Sequence, residues 1–266
     1  MLILASSALV PTLALARPSS VDWERRVVRC GGTGAPNLRE AAGTVAVTRA
    51  GTERAARRAA LRDCMAALRG LSIETGRTVA QVLADDAGLT ASVMDAVKRV
   101  RSAVEPRFFS DGGVELRVEV PLDGDISELL LRPPGSSVTT ASSSPGRAPD
   151  AALTGVLVDA SGQVVARALA PRILDEAGAE VYGPSALSAR ARRGGTAAYA
   201  ADVASARQAF AARLGAAPRV VRAIRAQGAD VVVSAADADA IRGSACLAEG
   251  RVIIVTHGGR AAENSK

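Results

Sequence analysis

Aromatic residues are rare in this sequence: its 266 residues include three Phe, two Tyr and one Trp. Ligand pockets and base-stacking platforms are usually built on aromatic side chains. The shortage therefore argues against specific binding of RNA or single-stranded DNA. Apolar residues still make up 48% of the chain, and much of this content is Ala, so we expect thin cores of Val, Leu and Ala.

Histidine is represented once, by His257 in a Thr-His-Gly-Gly stretch. A Ser or Cys nucleophile normally needs an oriented base, and this His has no evident partner in the sequence. One His and three widely spaced Cys also provide no pair of metal ligands at a recognised spacing. We therefore predict no catalytic residue, no cofactor-binding residue, no metal ligand and no cofactor.

Pairs of carboxylates are the remaining candidates for calcium binding or acid–base chemistry. They are Asp85 and Asp86, Asp123 and Asp125, and Asp237 and Asp239. Asp123-Gly124-Asp125 lacks the rest of a calcium loop, and each pair lies where a turn or a helix start prefers Asp. The sequence predicts structural roles for all three pairs and leaves a hydrolase with an unrecognised site as an alternative.

Long hydrophobic runs are missing as well, so no transmembrane span is predicted. The longest apolar stretch, at 1–16, is interrupted by Pro11 and ends in Ala14-Leu15-Ala16. Such a stretch is typical of a secretory signal peptide with a small-residue cleavage site, although the usual cationic start is absent. We predict a signal peptide at 1–16 and export across the inner membrane. No Cys follows that could carry a lipid anchor.

Positive charge exceeds negative charge by six. A basic excess can indicate nucleic acid, anionic lipid or an acidic envelope polymer as a partner. Most basic residues are scattered among acids, which is typical of a solvated surface of mixed charge. The candidate contact for an anionic cell-wall polymer is the cluster of Arg190, Arg192 and Arg193.

Three cysteines, Cys30, Cys64 and Cys246, allow one bridge and leave one thiol. A bridge between Cys30 and Cys64 would suit an oxidising compartment. It would add about 3 to 4 kcal/mol of stability in the chain-entropy model. In the alternative, Cys64 is a small buried hydrophobe on the apolar side of a helix. Both remain open, and the apolar pattern around Cys64 favours the second.

The strongest helix prediction covers 53–71, where Ala, Leu, Met and Arg fill nearly every position before Gly70. Small apolar residues recur there at spacings of three and four, so a neighbouring element can approach closely. A strand at 26–29 precedes the helix, and the glycine-rich stretch 30–36 is predicted to break it. Residues 104–109 and 114–120 predict an antiparallel hairpin whose apolar face packs on the helix.

Residues 132–150 are rich in Pro, Ser and Gly, which is typical of a linker. This linker divides the chain into a domain at 17–131, a second domain at 151–257 and a tail at 258–266. In the second domain we expect strands at 154–159, 229–234 and 251–256, a hairpin formed by 168–174 and 179–182, a helix at 199–214, and either a strand or a helical turn at 219–226. The predicted fold class is α+β with two small domains, first a helix packed on an antiparallel sheet and then a mixed α/β sheet domain.

The motifs of the first half, in their order, resemble a known family. They are Trp23, the Gly-Gly-Thr-Gly-Ala-Pro stretch, the ERAARRAALR helix that ends in Leu-Arg-Gly-Leu, and the FSDGGVE turn. Over residues 23–122 they resemble the bacterial LPP-twenty outer-membrane lipoproteins and the N-terminal domain of flagellar assembly protein T. The resemblance implies a non-enzymatic envelope protein, since some members form ring or scaffold material of a flagellar basal body. The lipidated Cys of the lipoprotein members is missing here.

Three hypotheses on function follow. The first is a periplasmic or outer-membrane-associated structural or interaction component that contacts itself or other envelope proteins, for example through exposed hairpin edges. The second is a binding module for an anionic cell-envelope polymer, and the third is the hydrolase. No specific nucleic-acid partner is predicted.

Overall fold

The computed structural model describes residues 18–36, 45–132 and 153–256. The predicted signal peptide, nearly all of the predicted linker, His257 and the predicted tail lie outside the described residues. The described chain is α+β and has two parts, each built on a sheet of its own, as predicted. None of its described helices is both long enough and apolar enough to cross a membrane.

The first part is a four-stranded antiparallel sheet with a long helix on one face. Its elements are β1 (Ser20–Asp22), β2 (Val27–Gly34), α1 (Val45–Arg69), β3 (Ser72–Glu74), β4 (Arg77–Thr78), α2 (Val79–Asp85), α3 (Ala87–Arg99), β5 (Arg107–Phe108), β6 (Val114–Pro121) and α4 (Asp125–Leu130). The strand order is β1-β2-β6-β5, and β3 and β4 form a separate small hairpin. In β6 buried residues alternate with more exposed ones, and the buried face packs on α1.

α1 lies unusually close to β2 because small residues face each other. A Cβ added to Gly32 would overlap the backbone of Ala56 and Ala60 and lie 2.8 Å from the Cα of Ala60. A Cβ on Gly34 would overlap the backbone of Thr52 in the same way. Two residues of β2 advance about 6.6 Å along the strand, and four residues of α1 advance about 6 Å along the helix. Because these distances are similar, alternate residues of β2 meet successive turns of α1.

The glycine-rich stretch at 30–36 is therefore not the loop that the sequence predicts. β2 continues through it and pairs with β6 without interruption, from Val27 opposite Pro121 to Gly34 opposite Val114. Glycine usually weakens a strand, but it also marks places where another backbone approaches closely. Here the absent side chains make room for α1, which compensates for the weak strand propensity.

The predicted hairpin at 104–120 forms, but its first strand is only β5. β6 pairs with β5 on one side and with β2 along its whole length on the other. β6 is therefore an inner strand, and of the predicted hairpin only β5 lies at a sheet edge. The edges of the first sheet are β1 and β5.

The second part is a seven-stranded mixed sheet with short helices. Its elements are β7 (Gly155–Asp159), β8 (Ile173–Leu174), β9 (Glu180–Tyr182), α5 (Ala189–Arg193), β10 (Ala197–Ala200), α6 (Val203–Ala209), α7 (Ala211–Leu214), β11 (Pro218–Gln227), β12 (Asp230–Val233), α8 (Ala235–Ile241), α9 (Ala245–Ala248) and β13 (Val252–Val255). The strand order is β10-β13-β7-β11-β12-β8-β9. The four strands from β10 to β11 run parallel to one another. β10, β13 and β7 are almost entirely buried, as parallel strands covered on both faces are, whereas one side of β11 is exposed.

Two predictions for the second part need revision. The helix predicted at 199–214 is a strand, β10, followed by two short helices, because residues 197–200 are fully buried beside β13. Asp202 then caps α6 by accepting the N–H of Ser205. The open choice at 219–226 resolves as a strand, β11, which is the longest strand of the sheet.

The two parts share a buried seam at the turn between β1 and β2. Arg26 is 4% exposed and adopts a left-handed backbone conformation with φ of 51°. Its Nε donates to Asp123 at 2.5 Å, and its Nη1 donates to the carbonyl of Ala197 in the second part at 2.6 Å. Trp23 packs edge-on against Tyr199, with ring centroids 5.6 Å apart. A strained backbone and a buried charge are thus held by contacts that join the two parts.

Replacing Arg26 with Met is expected to lower the free energy of unfolding by about 2 to 4 kcal/mol, since two partners lose their donor and the buried site is refilled imperfectly. Arg25→Met is the matched control. Arg25 is exposed and pairs with Glu119 on the surface, so its loss should cost less than about 1 kcal/mol. Urea unfolding followed by circular dichroism measures both. Equal losses would contradict the role assigned to Arg26.

Candidate functional site

The predicted polyanion cluster lies on α5, a short helix that Ser188 caps. Arg193 forms ion pairs with Asp125 at 2.9 Å and with Glu128. Arg192 donates to a backbone carbonyl at 2.6 Å. Of the three predicted residues only Arg190 is exposed and unpaired within the described chain. Arg193 therefore holds α5 against α4, Arg192 binds the backbone of its own segment, and the three arginines do not form one free cationic cluster.

The predicted cysteine pair is bridged: a disulfide joins Cys30 of β2 to Cys64 of α1, whose Cα atoms are 5.3 Å apart. The interpretation that the apolar pattern favoured, an unpaired and buried Cys64, is therefore wrong. The third cysteine, Cys246, is free and buried. Burial raises the pKa of its thiol, which keeps it protonated and unreactive.

At least one member of each acidic pair takes a structural role, and the pairs lie on separate elements. Asp86 accepts a backbone N–H at the start of α3, and Asp237 accepts the hydroxyl of Ser234 at the start of α8. Asp123 and Asp125 form ion pairs with arginines. Within the described ranges, no group of three or more His, Cys, Asp or Glu is arranged to hold a metal ion.

A cleft of about 360 Å³ lies on the face of the first sheet opposite α1. Arg25 and Arg29 donate to Glu119 and lower its pKa, against the opposing effect of burial. Burial would raise the pKa of Asp22, but the Arg25 N–H and the Arg29 guanidinium outweigh it, so this pKa is lowered too. Both carboxylates stay ionised and paired at neutral pH, and neither is suited to donate a proton.

The most distinctive surface of the second part is one face of β11, which we name the β11 face: Val220, Arg222, Ile224 and Arg225. All four are exposed, Val220 by 39% and Ile224 by 47%. The two arginines make no ion pair with any described residue. Exposed apolar side chains with polar residues around them mark interaction sites, so the combination indicates a contact surface.

The fold explains why this face is uncovered. Val220 lies opposite Leu157 of β7 and shares its side of the sheet, and that side is packed over Leu157 by residues of α6 and α7. The two helices do not extend over β11. The pairing of β11 with β12 also shifts register between Ala223 and Arg225, and this bulge leaves Ile224 without a residue opposite it.

Sequence reasoning did not identify the β11 face as a site. Its signal was present in RVVRAIRA, where cations alternate with β-branched residues. That pattern fits both a strand and a helix. The exposed residues can be identified only once the segment is known to be a strand with one covered face and one uncovered face.

Comparison with known proteins gives a family match over the second part. The profile of a family described as the second domain of Treponema pallidum Tp0624 matches residues 155–258. The match begins at the first residue of β7, in keeping with the division of the fold into two parts. No curated protein matches the chain.

Proposed function

We propose that this protein is a non-enzymatic, exported component of the cell envelope that serves as a structural or interaction part of a periplasmic or outer-membrane-associated assembly. The β11 face carries the proposal, because it combines exposed β-branched residues with unpaired arginines. An acidic protein surface with apolar side chains would complement it. The protein's net charge of +6 favours a different, acidic protein over a second copy.

Two further observations support the cellular location. Disulfides persist in oxidising compartments such as the periplasm, and Cys30 is bridged to Cys64. The apolar stretch at 1–16 is typical of a signal peptide. The resemblance of residues 23–122 to the LPP-twenty lipoproteins and to flagellar assembly protein T implies the same setting.

Site-specific photo-cross-linking in the producing bacterium tests the proposal. Benzoylphenylalanine placed at position 224 should give a discrete cross-linked product, whereas the same probe at position 164 should give none. Val164 is a suitable control because it is an apolar residue of the same part that is 97% exposed. Adding Arg222→Glu and Arg225→Glu to the probe at position 224 should reduce the product about tenfold, since close like charges cost several kcal/mol at an interface.

The outcomes separate clearly. A product that forms at position 224 and is lost on charge reversal supports an interaction component, and its mass tells another protein from a second copy. Equal products at positions 224 and 164, or a product that charge reversal leaves unchanged, would contradict the proposal.

A further inference from the structure

A second basic surface runs along the outer side of α1, on the first part of the fold. Arg54, Arg58, Arg62 and Arg69 are all exposed, and we name them the α1 row. Successive members four residues apart rise by about 6 Å, and the row is about 22 Å long. At 100° per residue the four side chains leave the helix within about 80° of one another. The row is thus a nearly straight line of cations.

The acids of α1 do not compensate this row. Glu53 pairs with Arg49, and Asp63 accepts the backbone N–H of Gly31 at 3.2 Å on the side that faces β2. No member of the row forms an ion pair with any described residue. Like charges four residues apart destabilise a helix, and the row contains two such pairs, Arg54 with Arg58 and Arg58 with Arg62. These two repulsive pairs oppose folding, whereas a bound polyanion would relieve them.

The surroundings of the row restrict the kind of polyanion. α1 contains no aromatic residue, and the ring of Phe108 beside it is already stacked under Arg49, so bases of a nucleic acid would find little surface on which to stack along the row. The larger apolar side chains of α1 near the row, Leu61 and Met65, pack against the core and are not free to insert into a membrane. The disulfide at the inner side of the helix indicates an oxidising compartment.

We propose that the α1 row binds a linear phosphodiester polymer of the cell envelope, one anionic group to each guanidinium. Arginine suits this ligand because its planar fork pairs with phosphate oxygens through two parallel hydrogen bonds. The site is distinct from the predicted cluster at Arg190, Arg192 and Arg193, and it does not depend on the β11 face having a partner.

Fluorescence anisotropy with labelled poly(glycerol phosphate) tests the site on the full chain. The triple variant Arg54→Gln, Arg58→Gln, Arg62→Gln should bind at least about tenfold more weakly at low salt. The slope of log affinity against log salt should also become shallower by about 2, because three counterion-releasing contacts are lost. The control is Arg219→Gln, Arg222→Gln, Arg225→Gln, which removes the same charge from β11 and should keep most of the affinity.

Thermal unfolding, a single substitution and a second polymer provide the controls. The row variant should melt at the same or a higher temperature than the unmodified protein, because two repulsive pairs are gone, and Arg58→Gln alone should give a smaller loss of affinity in the same direction. Equal losses in the two triple variants would show attraction to net charge only and overturn the proposal. Oligothymidylate with the same number of phosphates should bind more weakly than poly(glycerol phosphate). If oligothymidylate bound equally well or better, the proposal would also be overturned.

Discussion

Gly32→Ala is expected to lower the free energy of unfolding by about 3 kcal/mol or more, although it adds a single methyl group. The new Cβ would meet the backbone of Ala56 and Ala60. Backbone atoms cannot rotate aside as a long side chain can, so α1 has to move away from β2 as a unit. That movement opens gaps along the helix, and the disulfide at Cys64 resists it. Gly32→Val should prevent folding.

Gly51→Ala is the matched control for this substitution. Gly51 lies inside α1, and an added Cβ there would have no neighbouring atom within 4 Å. Alanine should therefore stabilise the helix by about 0.5 to 1 kcal/mol. Urea unfolding of both variants gives the comparison. A Gly32→Ala protein as stable as the unmodified chain would mean that α1 and β2 are not in close contact.

Removing the Cys30–Cys64 disulfide is expected to cost about 3 to 4 kcal/mol. The bridge closes a loop with a sequence separation of 34, and chain entropy in the unfolded state then gives this range. For a domain of this size the loss corresponds to a melting temperature lower by roughly 10 °C. The measurement is thermal unfolding of the Cys30→Ser, Cys64→Ser variant with and without reductant.

Two comparisons check that the effect belongs to the bridge. The reductant should lower the melting temperature of the unmodified protein and leave the double variant unchanged. Cys246→Ala removes a buried, unbridged thiol and should cost only about 1 kcal/mol. If reductant left the unmodified protein equally stable, the bridge would contribute nothing to folding.

Periodicity predicted the type of most elements correctly. A buried element needs apolar side chains at the period of its backbone. That period is visible in the alternation of β6, in the helical spacing of α1, and in the continuous apolar runs of β7, β12 and β13. Errors arose where tertiary contact overrides propensity. Residues 197–200 are Ala-rich and favour a helix, yet they form β10, and the glycines of β2 suggest a loop but provide room for α1.

The candidate sites were harder to predict for a related reason. The arginines at 190–193 are consecutive or nearly so, and this makes them conspicuous in a sequence. Whether a guanidinium is free depends on acids that are distant in sequence, as Asp125 and Glu128 are from Arg193. The α1 row and the β11 face could be recognised only after those distant pairs had been placed.

The seam at Arg26 limits how this chain can be divided. Leu169 and Ala170 lie within residues 155–258, but their backbone N–H groups donate to Ser72 and Ile73 of the first part, and their side chains belong to its core. Part of the Tyr199 ring is likewise buried by contact with Trp23 of the first part. A fragment limited to residues 155–258 would expose apolar surface to solvent. A soluble truncated protein should therefore retain the residues from β1 onward.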